Sequence, residues 1–102
     1  NIFMRPPPVS WPDRNLCRAR AIARHLGDAQ PIRDIIVLNE SFERESVTQL
    51  AELLHARYPY QVLRQPGPDG LRVNGGVSVL SRYPIEKWSA TAYERCAGKW
   101  ND

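Results

Sequence analysis

Apolar residues recur at helical spacing early in the chain. Leu16, Ala19, Ala23 and Leu26 share one face, with Ile22 beside them, while Arg14, Arg18 and Arg24 fall largely off that stripe. Asp13 suits the N-cap of this helix, and Gly27 is placed to end it in a left-handed conformation. Ile35-Ile36-Val37-Leu38 follows, uniformly apolar and rich in β-branched residues rather than alternating. That pattern predicts a strand covered on both faces, as in the middle of a layered domain. A second helix is predicted over roughly 45–57, with Val47, Leu50, Ala51 and Leu54 as its buried stripe. Ser46 and Gln49 have capping-box spacing, and Pro59 blocks continuation. Tyr60-Gln61-Val62-Leu63 alternates as a strand does. Gln65 to Gly76 is rich in Gly, Pro, Asp and Asn and reads as a loop. Val77 to Ser81 is the next strand, ended by Tyr83-Pro84, and a last strand is expected within Lys87 to Tyr93.

The predicted order is helix, strand, helix, strand, strand. Asn1-Ile2-Phe3-Met4 resembles the end of a strand but has no residues before it, so a central strand is expected to be cut at its start. Pro6-Pro7-Pro8 then imposes an extended, solvated segment. At 102 residues the chain fits one small domain with a modest core. No apolar run approaches the ~18 residues of a membrane span. Net charge is +3, but Lys and Arg are dispersed, so nucleic acid is not an expected partner. A mild positive bias would suit a phosphate-bearing or anionic-membrane partner without requiring one. Cys17 and Cys96 have no zinc-type spacing; Cys17 is expected to be buried or half-buried, and sequence leaves their disulfide state open.

Among candidate chemical groups, Glu40 stands out. A carboxylate just past a buried strand is held at the carboxyl edge of the sheet, where α/β folds place ligands. An anionic oxygen there suits Mg²⁺, which takes one or two carboxylates and completes its shell with water and substrate phosphate. Position alone favours an acid interacting with backbone amides at a helix start. Asn1 offers a neutral oxygen to the same metal or an amide donor to a phosphate, or is a solvated terminal residue. His25 and His55 sit near helix ends, with no acid or nucleophile placed by sequence to work with them. Asn74-Gly75-Gly76 reads as turn chemistry; a phosphate-cradling glycine loop needs a following helix, and a strand follows here.

Three segments together resemble the endonuclease/exonuclease/phosphatase superfamily. Asn1-Ile2-Phe3-Met4 looks like the end of its early "T-x-N-V" strand. Ile36-Val37-Leu38-Asn39-Glu40-Ser41-Phe42-Glu43 looks like its metal-site strand and turn. The run from Asn74-Gly75-Gly76-Val77 through Ser81-Arg82-Tyr83-Pro84-Ile85 looks like its "G-G-V-x-I-x-S-x-x-P-I" strand. Order and intervals agree from residue 1 to about residue 98. Leu38-Asn39-Glu40, with Asn before Glu, and the Tyr93 to Gly98 stretch with Cys96 are most similar to the bacterial neutral sphingomyelinases.

The resemblance implies an α+β fold: the N-terminal half of a DNase I-like two-layer β-sandwich flanked by helices, with 1–102 as a partial domain. It implies Mg²⁺ as cofactor, Glu40 as a metal ligand and Asn1 in the metal and phosphate shell. No residue of this chain matches the family's catalytic positions, an Asp and Asn pair and two His that come later. The implied parent reaction hydrolyses sphingomyelin to ceramide and phosphocholine, with membrane-surface contact and secretion. The alternatives are a fragment of another member of the superfamily, a nuclease or an inositol-phosphate phosphatase, and a non-enzymatic truncated piece. After Gly98 the chain departs from the family pattern.

Overall fold

The computed structural model describes residues 1–4, 12–63 and 75–89. Pro6-Pro7-Pro8, most of the loop before Gly75, and everything from Ala90 on, Cys96 included, lie outside the described residues. Helix α1 spans Pro12–Asp28, β1 Ile35–Leu38, α2 Arg44–Leu54, β2 Tyr60–Val62 and β3 Ser78–Ser81. The predicted order holds. Several ends differ from expectation, α2 among them, which stops at Leu54 rather than near residue 57. Pro12 opens α1, a position where its missing N–H costs nothing, so Asp13 lies inside the first turn rather than capping it. Gly27 also lies inside α1. There a Cβ would come 3.9 Å from Leu54 Cδ2, so the small residue sits where α2 passes close by. Of the last predicted strand, Lys87 to Ser89 is not extended ladder, and the rest falls outside the described residues.

The α2 cap is also not the predicted one. Glu43 has extended backbone (φ −80°, ψ 118°), and its carboxylate accepts from the amides of Glu45 at 2.9 Å and Ser46 at 2.8 Å. Ser46 is therefore the third helical residue, fully buried rather than capping.

The sheet order is β1-β3-β2, and both pairings are antiparallel. Ile36 lies opposite Leu80 and Val37 opposite Val79, with Gln61 opposite Leu80 on the other side. Because side chains alternate across a sheet, Ile36, Leu38, Ser78 and Leu80 share the inner face. The two helices pack together over that face. Ala19 and Ala23 of α1 and Val47, Leu50, Ala51 and Leu54 of α2 meet Ile36, Leu38 and Leu80 in one core. Ile2, Met4 and Tyr58 complete it. Burying a side chain such as Leu50 contributes about 1.5–3 kcal/mol.

Among the described residues, the strand expected to be covered on both sides is covered on one. Ile35 is 58% exposed and Val37 55%, whereas Ile36 and Leu38 are buried. Val77 and Tyr60 are exposed as well. The described residues thus form an α+β unit of two helices on one side of a three-stranded antiparallel sheet. The two-layer sandwich lies beyond what they contain.

Candidate metal centre

Beyond β1 the chain does not run on as a strand. Glu40 has φ +57°. Nearby, Phe3 has φ +52° and Gly76 φ +61°. Positive φ at two non-glycine residues is uncommon, and persists where surrounding bonds over-determine the backbone. Those bonds are present. Ile2 N donates to Asn39 O and Met4 N to Glu40 O, each at 2.9 Å, and Met4 bridges Ser41 in parallel. Phe42 N and Glu43 N both donate to Met4 O, at 3.1 and 2.9 Å. Toward β3, Ser41 donates to Gly76 O through both its amide and its hydroxyl, each at 2.8 Å. The Ser41 Oγ also lies 2.9 Å from Ser78 Oγ, in a fully buried pair. Glu40 is therefore flanked by backbone that is bonded on both sides.

Gly76 sets the spacing on the β3 side. A Cβ there would lie 2.4 Å from Phe42 Cε1 and 2.6 Å from Cζ, closer than side-chain contacts allow. The positive φ independently favours glycine. Sequence read Asn74-Gly75-Gly76 as turn chemistry; at Gly76 the requirement is both conformation and close approach of an aromatic ring.

Across this turn, residues 39 positions apart in sequence meet. Asn1 Nδ2 donates to Glu40 Oε1 at 2.7 Å, and Phe3 N donates to Asn1 Oδ1 at 2.9 Å. The two predicted site residues are thus brought together at the carboxyl end of β1. A carboxylate and a carboxamide side by side are hard oxygen donors of the type Mg²⁺ takes, one carboxylate sufficing when water and phosphate complete the shell. A carboxamide oxygen has two acceptor sites, of which Phe3 N uses one. The donor chemistry therefore fits a hard divalent cation held through few protein ligands. Among the described residues no group of three or more His, Cys, Asp or Glu is assembled for a metal.

The remaining candidates lie elsewhere. His25 is in the last turn of α1 and His55 caps the end of α2, and both are exposed. Cys17 is an exposed free thiol rather than a buried one. Sequence reasoning missed Asn15 and Tyr58, both fully buried, and the anchoring role of Ser41. No spacing marks the Ser41 and Ser78 hydroxyls as inward-facing: Glu40 precedes Ser41, and Ser78 stands between Val77 and Val79.

Comparison with known proteins returns the same architecture. Sphingomyelinase C from Streptomyces griseocarneus is similar at 31% identity and a TM-score of 0.60, over 72% of this chain and 28% of that one. A β-hairpin deletion mutant of beta toxin from Staphylococcus aureus is similar at 22% identity and a TM-score of 0.70, over 85% of this chain and 35% of that one. A second beta toxin structure from the same organism has a TM-score of 0.68 at 22% identity, over 85% of this chain and 34% of that one. The chain therefore spans about a third or less of the length of these proteins. No curated protein sequence matches it significantly. The model of the Endonuclease/Exonuclease/phosphatase family matches residues 1–100. With its two motif strands paired and its acidic turn at the end of β1, the chain belongs to the endonuclease/exonuclease/phosphatase family.

Proposed function

We propose that this chain is the N-terminal part of a Mg²⁺-dependent phosphodiesterase that hydrolyses sphingomyelin to ceramide and phosphocholine. One observation carries the reading. The 2.7 Å contact between Asn1 Nδ2 and Glu40 Oε1 gathers, at the carboxyl end of β1, the two residues whose motifs resemble the family's metal-site segments. The 31% identity to a sphingomyelinase C supports the choice of branch.

The chain's own residues then have distinct tasks. Glu40 supplies an anionic oxygen from a backbone tied to Met4 on one side and, through Ser41, to Gly76 on the other. Asn1 restricts rotation of that carboxylate by donating to it, while its own oxygen is oriented by Phe3 N. Glu40 would hold the cation directly, and Asn1 would complete the protein side through its carboxamide. When bound, Mg²⁺ polarises phosphoryl oxygens and stabilises the leaving alkoxide. A general base and a leaving-group acid are assigned to the remainder of the longer protein, because His25 and His55 sit exposed at helix ends. Contact with a membrane surface and secretion belong to the same proposal.

The test uses the full-length protein that carries this chain. Phosphocholine release from sphingomyelin vesicles is measured with Mg²⁺ and with EDTA, beside DNA and an inositol phosphate as competing substrates. Mg²⁺-dependent release from sphingomyelin is expected. Preferential cleavage of DNA or of the inositol phosphate would move the protein to another branch of the family.

A further inference from the structure

Asn1 can hold Glu40 only if the short segment that carries it keeps its path, and that path includes a residue in the left-handed region, Phe3, at φ +52°. A non-glycine residue there is strained and persists only where its neighbours hold it. One side chain from another element does so. Arg18 Nη1, from the middle of α1, donates to Phe3 O at 2.6 Å. The same guanidinium lies 6.0 Å from the centroid of the Phe3 ring, within range of a cation–π contact. It is itself steadied at 3.5 Å by Oδ1 of the fully buried Asn15, one turn earlier on α1. The Phe3 amide in turn orients Asn1 Oδ1, so the contacts run Asn15, Arg18, Phe3, Asn1, Glu40.

We infer that Arg18 is a positioning residue for the metal centre: it clamps the left-handed Phe3 so that Asn1 presents its carboxamide to Glu40. The inference rests on the Mg²⁺ reading of Glu40 given above. It assigns Arg18 no contact with metal or substrate. Half-buried and off the apolar stripe of α1, Arg18 contributes little to the core, which separates this role from a general structural one.

The experiment compares Arg18→Met, Arg18→Lys and Glu40→Gln with wild type in the full-length protein. Three quantities are read: the melting temperature without metal, the exchange rates of the Ile2 and Met4 amides by NMR without metal, and Mg²⁺ affinity by calorimetry. Arg18→Met keeps the alkyl length but loses both the hydrogen bond and the charge. It is expected to speed exchange of both amides about tenfold and to weaken Mg²⁺ binding by roughly tenfold or more, the usual scale for a residue that orients a ligand. The melting temperature is expected to stay near wild type. Arg18→Lys, still a cation and donor, is expected to recover part of both effects. If Glu40→Gln loses Mg²⁺ binding while Arg18→Met changes neither exchange nor affinity, the inference about Arg18 fails and the metal reading stands. If Glu40→Gln itself leaves Mg²⁺ binding unchanged, the metal reading fails and the positioning role with it. A large fall in melting temperature for both Arg18 variants, without rescue by Lys, would make the residue structural and overturn the inference.

Discussion

Replacing Gly76 by alanine perturbs the candidate site without touching either proposed ligand. Two costs add. At φ +61° an L-residue incurs about 1–2 kcal/mol relative to glycine. The new methyl would also lie 2.4, 2.6 and 3.0 Å from three atoms of the Phe42 ring, so the ring must swing aside. Overpacking of this kind costs typically about 1–3 kcal/mol, and the half-buried ring has some room to move, so the lower part of that range applies. The total expected is about 2–4 kcal/mol, measured by urea unfolding of the full-length protein. A double-mutant cycle separates the two parts. In a Phe42→Ala background the ring clash is gone and only the backbone cost remains, so the cycle should return a coupling of about 1 kcal/mol or more. Gly76 O accepts both Ser41 donors, so displacing it should also loosen the turn at Glu40 and weaken Mg²⁺ binding. Stability of Gly76→Ala within about 0.5 kcal/mol of wild type would refute this account of the turn.

Leu50→Ala, at a fully buried position between the helices and the sheet, should cost about 2–5 kcal/mol in the same unfolding assay. Glu43→Ala removes the acceptor for two amides of α2 and should cost about 1 kcal/mol, whereas Gln49→Ala, paired with Ser46 by spacing alone, should not lose a cap. The 102-residue chain on its own is expected to lack phosphodiesterase activity, because a general base or acid is typically worth about 10²–10⁴ in rate and none is assigned to it. It is also expected to self-associate through the face bearing Ile35, Val37 and Val77. Sedimentation and a sphingomyelin assay check both, and turnover by a monomeric, cooperatively melting chain would contradict them.

The stripe of α2 and the core residues of α1 were legible because a helix returns the same face every three to four residues. The location of Glu40 was legible because a short apolar run has a definite end. What Ile35 and Val37 face was not, since four consecutive apolar residues fit a strand buried on one side or on two. The register opposite Ser81 and Val79, which places them on the outer face, is a property of pairing with β3. The cap was misread because Ser46 and Gln49 have the right separation, but a cap is set by where the backbone leaves the extended region. That residue is Glu43, whose longer side chain reaches its own helix amides. Tyr58 lies past the end of α2 but one turn beyond Leu54 on the same stripe, its amide donating to Leu54 O at 2.9 Å, and it is fully buried, with its backbone oxygen accepting from Gln61. Arg18 lies off the apolar stripe, so the periodicity assigns it no partner. Its partner, Phe3 O, is a backbone atom that no spacing rule points to.

Whether Glu40 binds a catalytic cation is decided by Glu40→Gln in the full-length protein. The substitution removes the anionic charge while nearly preserving volume, and Asn1 Nδ2 can still donate to the remaining carbonyl oxygen. Hydrolysis of sphingomyelin is measured across a Mg²⁺ titration, with a thermal melt alongside. An unchanged melt and near-complete loss of Mg²⁺-dependent hydrolysis are expected; wild-type turnover by Glu40→Gln at saturating Mg²⁺ would remove Glu40 from the metal site.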